Sequence, residues 1–154
     1  MSQIIRRVQP ISQARNSMKC WAAVTAMILG RTGDRIVDTI VAEARAAGVP
    51  IRSDDSLSPS AVGDLATAFH LTCDTVSGVL SGQDVADRMG VACVGLMGQE
   101  TAGKHAVICH GMIGDFSASS TCDIWGVDPR GFTAINMGFW DFQNQFAIEF
   151  ILHR

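Results

Sequence analysis

Cys20 is the residue whose type and position most directly suggest chemistry. It begins an apolar run that extends to Ile28, and we predict a helix that starts near Ser17 with Asn16 or Ser17 as its cap. Cys20 would then lie about one turn inside that helix. Unpaired amides near a helix N-terminus favour the thiolate, which is the reactive form of cysteine. The alternative is a small residue buried on an apolar helix face.

A nucleophilic cysteine needs a base, and the sequence offers His70, His105, His110 and His153. His105 follows a small-residue loop and opens the apolar run at 106–108, and a base at the mouth of a strand is well placed to face a cleft. His70 ends a predicted helix, where a cation suits the helix dipole. His110 should point to the opposite face of the strand from His105. We therefore predict His105 as the general base.

The third member of such a site should accept a hydrogen bond from the imidazole and fix its tautomer. Asp128 ends a predicted strand just before Pro129, beside the strand that carries His105. Its alternative role is that of a turn-forming residue before proline. Three other aspartates are weaker candidates: Asp115, Asp123 and Asp141.

The oxyanion of a tetrahedral intermediate needs hydrogen-bond donors. The backbone N–H of Cys20 is one natural donor at the start of a helix. A side-chain amide just upstream would be the other, and we predict Gln13 for this role. Gln9 and Asn16 are competing candidates.

The elements that must position these residues change in type along the chain. Apolar residues at helical spacing predict helices near 17–30, 34–47, 58–69 and 81–89. Short apolar runs then predict strands near 91–96, 106–113, 124–127, 132–136 and 148–152, with a helical turn at 139–146. This order predicts a single α+β domain over residues 1–154, in which an N-terminal helical lobe packs on a C-terminal antiparallel sheet.

Composition excludes several classes of protein. The 154 residues are 47% hydrophobic and 18% charged, which is typical of a globular chain. A net charge of −3 argues against a nucleic-acid partner, and no segment has the apolar length or basic run of a membrane protein. The odd count of five cysteines, with no CxxC pair, excludes a complete disulfide framework but leaves one or two bridges open, and we expect mainly reduced thiols. The adjacent Cys109 and His110 lack zinc-ligand spacing and no nucleotide-binding fingerprint is present, so we expect no metal and no cofactor. The N-terminus does not resemble a signal peptide, so we expect synthesis in the cytoplasm without one.

Three segments together resemble bacterial papain-like cysteine proteases, especially plant-pathogen avirulence-effector proteases and double-glycine leader peptidases. Residues 13–23, with a glutamine upstream of Cys-Trp-Ala-Ala, are similar to the nucleophile motif of the family. Residues 104–108, followed by Gly111 and Gly114-Asp115, resemble its histidine strand, and residues 127–131 resemble its Asp-Pro turn. The motifs keep the family's order over about residues 8–150, although the Gln-to-Cys spacing is one residue longer than is typical.

The resemblance implies a papain-like fold and peptide-bond cleavage through an acyl-enzyme. Cys20 would be the nucleophile, His105 the base and Asp128 its orienting partner, with Gln13 and the Cys20 amide at the oxyanion. The implied substrate is a protein or peptide, and the implied setting is a bacterial effector or toxin with a specialised secretion system and an immunity or secretion partner. Two alternatives stay open: an amidase, deamidase or acyltransferase on the same fold, and a non-catalytic binding module.

Overall fold

This computed structural model describes residues 1–13 and 17–154. Within them, the scaffold is a seven-stranded antiparallel sheet. Its strands are β1 (Ser2–Ile5), β2 (Thr72–Thr75), β3 (Val94–Glu100), β4 (Gly103–Gly114), β5 (Cys122–Asp128), β6 (Thr133–Gly138) and β7 (Ala147–His153). The main path runs β2-β7-β3-β4-β5-β6. The long β4 pairs with β3 along its first half and with β1 along its second.

Helices cover the sheet on both sides. They are α1 (Cys20–Leu29), α2 (Ile36–Ala46), α3 (Val62–Ala68), which a short 3₁₀ turn at Pro59–Ala61 introduces, α4 (Gly82–Ala86) and α5 (Phe139–Gln145). The sheet is central because its side chains alternate between two cores: Ile108 packs with α1, α2 and α3, whereas Val107 packs with α4 and α5. Among the described residues, no helix has the length and apolar character needed to cross a bilayer.

The central helix α1 lies very close to β3, and a glycine makes this approach possible. A Cβ atom on Gly95 would stand 2.6 Å from Cγ1 of Val24 and 3.1 Å from Cδ1 of Ile28, so any other residue there would force α1 or its side chains to move. Residues 21–28 of the helix are buried throughout. The depth of α1 in the core is therefore fixed, and with it the position of Cys20 at its N-terminus.

The α+β class and the antiparallel sheet are confirmed, but two strands and one helix boundary differ from the sequence prediction. Helix α1 begins at Cys20 rather than near Ser17, and Lys19 occupies the N-cap position without a side-chain capping bond. The other predicted cap, Asn16, lies outside the described residues. Strands β1 and β2 were not predicted, because both are only four residues long, neither contains a fully buried residue, and their sequences lack a clear apolar alternation.

Candidate active site

Three elements bring Cys20, His105 and Asp128 to the same end of the sheet. Cys20 is the first residue of α1, His105 is near the start of β4, and Asp128 is the last residue of β5. Strands β4 and β5 are antiparallel neighbours, so the beginning of one meets the end of the other. Nε2 of His105 lies 2.9 Å from Oδ1 of Asp128. The predicted base and its predicted orienting partner are thus in hydrogen-bond contact.

The environment of His105 favours its protonated form. Burial by itself would lower the pKa of this ring, since only 7% of the residue is exposed. The hydrogen bond to Asp128 and the interaction with the nearby Cys20 thiol outweigh burial and raise the pKa of His105 to about 9. Because Nε2 is engaged by Asp128, Nδ1 is the nitrogen left to exchange a proton with Cys20.

Asp128 acts both as a turn residue and as the partner of the histidine. Burial would raise its pKa, but hydrogen bonds from His105 and Arg130 hold the pKa of this carboxyl well below its usual range. Oδ1 accepts the backbone N–H of Arg130 at 2.9 Å, and Oδ2 accepts Nη2 of the same arginine, also at 2.9 Å. The two roles considered for Asp128 from the sequence are therefore compatible.

The other histidines lie away from Cys20. His110 is five residues farther along β4, roughly 16 Å at the rise of a strand, and burial lowers its pKa. His70 is exposed and has a left-handed backbone (φ 57°) after α3. His153 pairs with Asp74 at 2.8 Å. The weaker acidic candidates Asp115, Asp123 and Asp141 are exposed.

The oxyanion donors expected from the sequence lie near Cys20. As the first helical residue, Cys20 has an N–H that no carbonyl of its own helix can accept. Gln13 lines the same cleft as Cys20, and its Nε2 donates to the carbonyl of Ser17 at 2.7 Å. An amide carries two N–H donors, so one remains for an oxyanion. Gln9 is exposed and does not line the cleft, whereas Asn16 lies outside the described residues.

Cys20 and His105 open onto a cleft of about 410 Å³. The indole N–H of Trp21 donates to the carbonyl of Asp55 at 2.8 Å and so ties one wall of the cleft to the nucleophile helix. The lining of the cleft combines apolar and charged residues. Apolar lining residues include Met18, Trp21, Leu57, Val62, Met97, Ala106 and Phe150, and charged ones include Arg52, Glu100, Lys104, Arg130 and Glu149.

Two residues of the site were missed from the sequence, Arg130 and Glu100. Arg130 lies between the two carboxylates, since it contacts Asp128 and also places Nη1 2.7 Å from Oε1 of Glu100. A signal for Arg130 did exist, because it stands two residues after Asp128 in the same turn. Glu100 is far from both along the chain, and no local pattern connects it with them.

All five cysteines are free thiols, and the other four differ from Cys20 in their surroundings. Burial raises the pKa of Cys93 to about 11 and that of Cys109 to about 12, and it also raises the pKa values of Cys73 and Cys122. Such thiols stay protonated and inert at neutral pH. Within the described part of the chain, no group of three or more His, Cys, Asp or Glu side chains could hold a metal ion.

Comparison with known proteins identifies the class. Residues 3–147 match the family described as papain-like cysteine protease AvrRpt2, so the chain belongs to this family and is a hydrolase. Its fold is similar to that of the peptidase domain of Streptococcus ComA, a bi-functional ABC transporter involved in quorum sensing, with a TM-score of 0.63 and 10% identity over 96% of each chain. No curated protein sequence matches significantly. The family resemblance seen in the three sequence motifs is thereby confirmed.

Proposed function

We propose that this cysteine protease cleaves peptide bonds through an acyl-enzyme formed on Cys20, with His105 as general base and acid and Asp128 as the residue that orients it. One observation carries the proposal. The His105 ring is held by Asp128 at 2.9 Å and lies beside the Cys20 thiol, and both Cys20 and His105 open on the same cleft. A nucleophile, a base and an orienting partner in contact define this chemistry.

The proposed reaction has two halves. The Cys20 sulfur attacks the carbonyl carbon, and the resulting oxyanion accepts hydrogen bonds from the Cys20 N–H and from Nε2 of Gln13. The C–N bond then breaks as the imidazolium of His105 gives its proton to the departing amine, which leaves a thioester on Cys20. A water molecule attacks that thioester while His105 takes its proton, and the C–S bond breaks to release the acid and restore the starting pair.

Asp128 supports both halves without bonding to substrate. Its carboxylate accepts from Nε2, which keeps Nδ1 directed to the sulfur and stabilises the positive ring. Because Asp128 is ionised over the whole working range, it is not expected to exchange protons during the reaction.

We further propose a setting for the activity, that of a bacterial effector or toxin made in the cytoplasm without a cleaved signal peptide and sent out by a specialised secretion system. An immunity protein or secretion component would be its partner. The similarity of the motifs to avirulence-effector proteases supports this setting. Production of the wild type and of Cys20→Ala inside candidate target cells tests it, because a toxin should harm the cells only with its nucleophile intact. Equal growth with both would contradict the toxin role.

The rate at which iodoacetamide labels each cysteine, measured by peptide mass spectrometry between about pH 4 and about pH 9, tests the site itself. In the wild type, Cys20 should react fast below pH 7 because a neighbouring imidazolium favours the thiolate. In His105→Ala, this fast labelling should disappear. Cys73 and Cys109 serve as internal controls, since their pKa values are raised by burial. If Cys20 reacts no faster than these two, no thiolate–imidazolium pair is present and the proposed mechanism is wrong.

A peptide library separates the remaining chemistries. Incubation with the wild type and with Cys20→Ala should yield new peptide termini with the wild type alone. Release of ammonia without chain cleavage would indicate a deamidase instead, and loss of muropeptide cross-links without cleavage of ordinary peptides would indicate a cell-wall amidase.

A further inference from the structure

The Asp128 carboxylate contacts the guanidinium of Arg130, and this guanidinium also contacts the carboxylate of Glu100. Nη2 of Arg130 contacts Oδ2 of Asp128 at 2.9 Å, and Nη1 lies 2.7 Å from Oε1 of Glu100. The side chains of Asp128 and Glu100 are 16% and 20% exposed, so both carboxylates are largely withdrawn from solvent. A planar guanidinium fixes its partners in direction as well as in distance.

The backbone around Arg130 is shaped to aim this side chain. Gly131 (φ 69°) and Phe132 (φ 59°) both adopt left-handed conformations in the turn between β5 and β6. The second of these is unfavourable for a bulky residue. The Thr133 hydroxyl also donates to the carbonyl of Arg130 at 2.9 Å. The turn therefore directs Arg130 back over Asp128 and across to Glu100 at the end of β3.

We propose that Arg130, fixed by Glu100, is a positioning residue that aims the Asp128 carboxylate at Nε2 of His105. This inference rests on the proposed function and deepens it. Without Arg130, Oδ2 of Asp128 would lose a charged donor and the carboxylate could turn towards solvent. His105 would then lose the partner that fixes its tautomer and stabilises its positive charge.

Several charged or titratable groups surround His105, so a change in its titration must be assigned with care. They are Cys20 on α1, Glu100 and Lys104 on the β3–β4 hairpin, Asp128 and Arg130 at the end of β5, Glu149 on β7 and Arg52 in the loop before α3. Lys104 and Glu149 form their own pair at 2.6 Å. The proposal concerns only the contacts that run from Glu100 through Arg130 to Asp128.

The test follows the titration of the His105 ring by nitrogen-correlated NMR in a Cys20→Ser background, which removes the coupled thiol. Loss of a positive charge by itself stabilises a neighbouring imidazolium, so a pure field effect of Arg130→Gln would move the His105 midpoint upward. Loss of positioning does the opposite, because burial then dominates. We expect a downward shift of about one pH unit and a mixture of ring tautomers. An upward shift or no shift would overturn the proposal.

Conservative variants sharpen the result. Arg130→Lys keeps the charge but loses the two-pronged contact, so its midpoint should also fall, by less than in Arg130→Gln. In Glu100→Gln the readout is the mixture of ring tautomers rather than the midpoint, because loss of a negative charge lowers the midpoint by itself. Arg88→Gln is the matched control, since Arg88 contacts Asp74 in a remote cluster, and it should leave the His105 titration unchanged. If Arg130→Lys titrates like the background, charge alone is sufficient and positioning is wrong.

Labelling of Cys20 in otherwise wild-type protein separates this inference from the proposed function. Fast labelling below pH 7 in the wild type, reduced about 10-fold in Arg130→Gln at pH 6, would support both. Slow labelling already in the wild type would contradict the proposed function itself. Fast labelling that Arg130→Gln leaves unchanged would contradict the positioning role alone.

Discussion

Two clusters in the described part of the protein join a histidine, an aspartate and an arginine, and they make a natural comparison. In the first, His105 meets Asp128 at 2.9 Å and Arg130 holds the same carboxylate. In the second, His153 on β7 meets Asp74 on β2 at 2.8 Å, and Nε of Arg88 approaches Asp74 at 2.6 Å. The residue types and the contact distances are almost the same.

Burial, a cleft and a thiol distinguish the two clusters. The side chains of His105 and Asp128 are 5% and 16% exposed, against 15% and 34% for His153 and Asp74. A cysteine stands next to the second cluster as well, but Cys73 and Asp74 are adjacent on a strand and so face opposite sides. Both clusters contain a His–Asp–Arg contact, but only the first lies beside a cysteine that opens onto a cleft, and for this reason we propose a catalytic role for the first alone.

Removal of the thiol at Cys20, compared with removal of the thiol at Cys73, should give the largest difference in peptide cleavage between the two clusters. Cys20→Ala should reduce peptide cleavage by on the order of 10⁴-fold or more, because the acyl-enzyme can no longer form. The change removes little volume from a half-buried position, so the fold should be retained. Initial rates on a peptide cut by the wild type, with circular dichroism as a check of folding, would measure this.

Cys73→Ala is the matched control beside the second cluster. Its thiol is partly buried, and burial and the neighbouring Asp74 raise its pKa, so the variant should cleave peptides at the wild-type rate. Near-full activity in Cys20→Ala, or a large loss in Cys73→Ala, would reverse the assignment of the two regions.

Removal of the charge from Asp128 or from Asp74 should give the next largest contrast between the two clusters. Asp128→Asn keeps the shape of the side chain but removes the charge that stabilises the His105 imidazolium, so turnover should fall by roughly 10²-fold, less than for loss of the nucleophile. Asp74→Asn makes the same change in the second cluster and should leave turnover unaffected. Steady-state kinetics of both variants at pH 7 would decide. Equal losses would mean that the two clusters are coupled.

The site could be predicted because its residues carry local signals. Cys20 begins a long apolar helix, His105 opens an apolar strand, and Asp128 precedes a proline at the end of another. Antiparallel pairing of the strands that carry His105 and Asp128 then makes their contact a simple consequence of topology. Gln13 was predicted in the same way, as an amide a short distance before Cys20, and it lines the same cleft, whereas its role at the oxyanion stays a prediction.

What the sequence did not reveal depends on contacts between distant segments. Strand β1 exists because the second half of β4 extends beyond β3 and leaves an edge to pair with, which no local pattern in residues 2–5 shows. Glu100 joins Arg130 across two hairpins, 30 residues apart in the chain. Helix α1 starts later than predicted, and Lys19 at its N-cap position makes contacts with Asp38 and Asp55 that lie 19 or more residues away in the chain. Propensity alone cannot detect such tertiary contacts.

The pH at which His105 titrates should change less than the cleavage rate does in the variants above, but in a direction that can be predicted. With its pKa raised to about 9, the ring should remain protonated at neutral pH, and cleavage should decline above about pH 9 as the acid for the leaving amine is lost. In Asp128→Asn, the effect of burial is less opposed, so the midpoint should fall. NMR titration of the imidazole nitrogens measures the midpoint, and Asp74→Asn provides the control. A His105 midpoint near 6.5 in the wild type would contradict the stabilising role of Asp128.

The second cluster itself should give the smallest effect. His153→Gln removes the contact with Asp74 while Arg88 remains, and these side chains are partly solvated. Partly exposed ion pairs contribute little, so the free energy of unfolding should fall by less than about 1 kcal/mol, and peptide cleavage should not change. Urea denaturation together with initial rates would test both statements. A loss of activity without a loss of stability would mean that the edge formed by β2 and β7 reaches the cleft, where β7 contributes Glu149 and Phe150, and the two clusters would then no longer be independent.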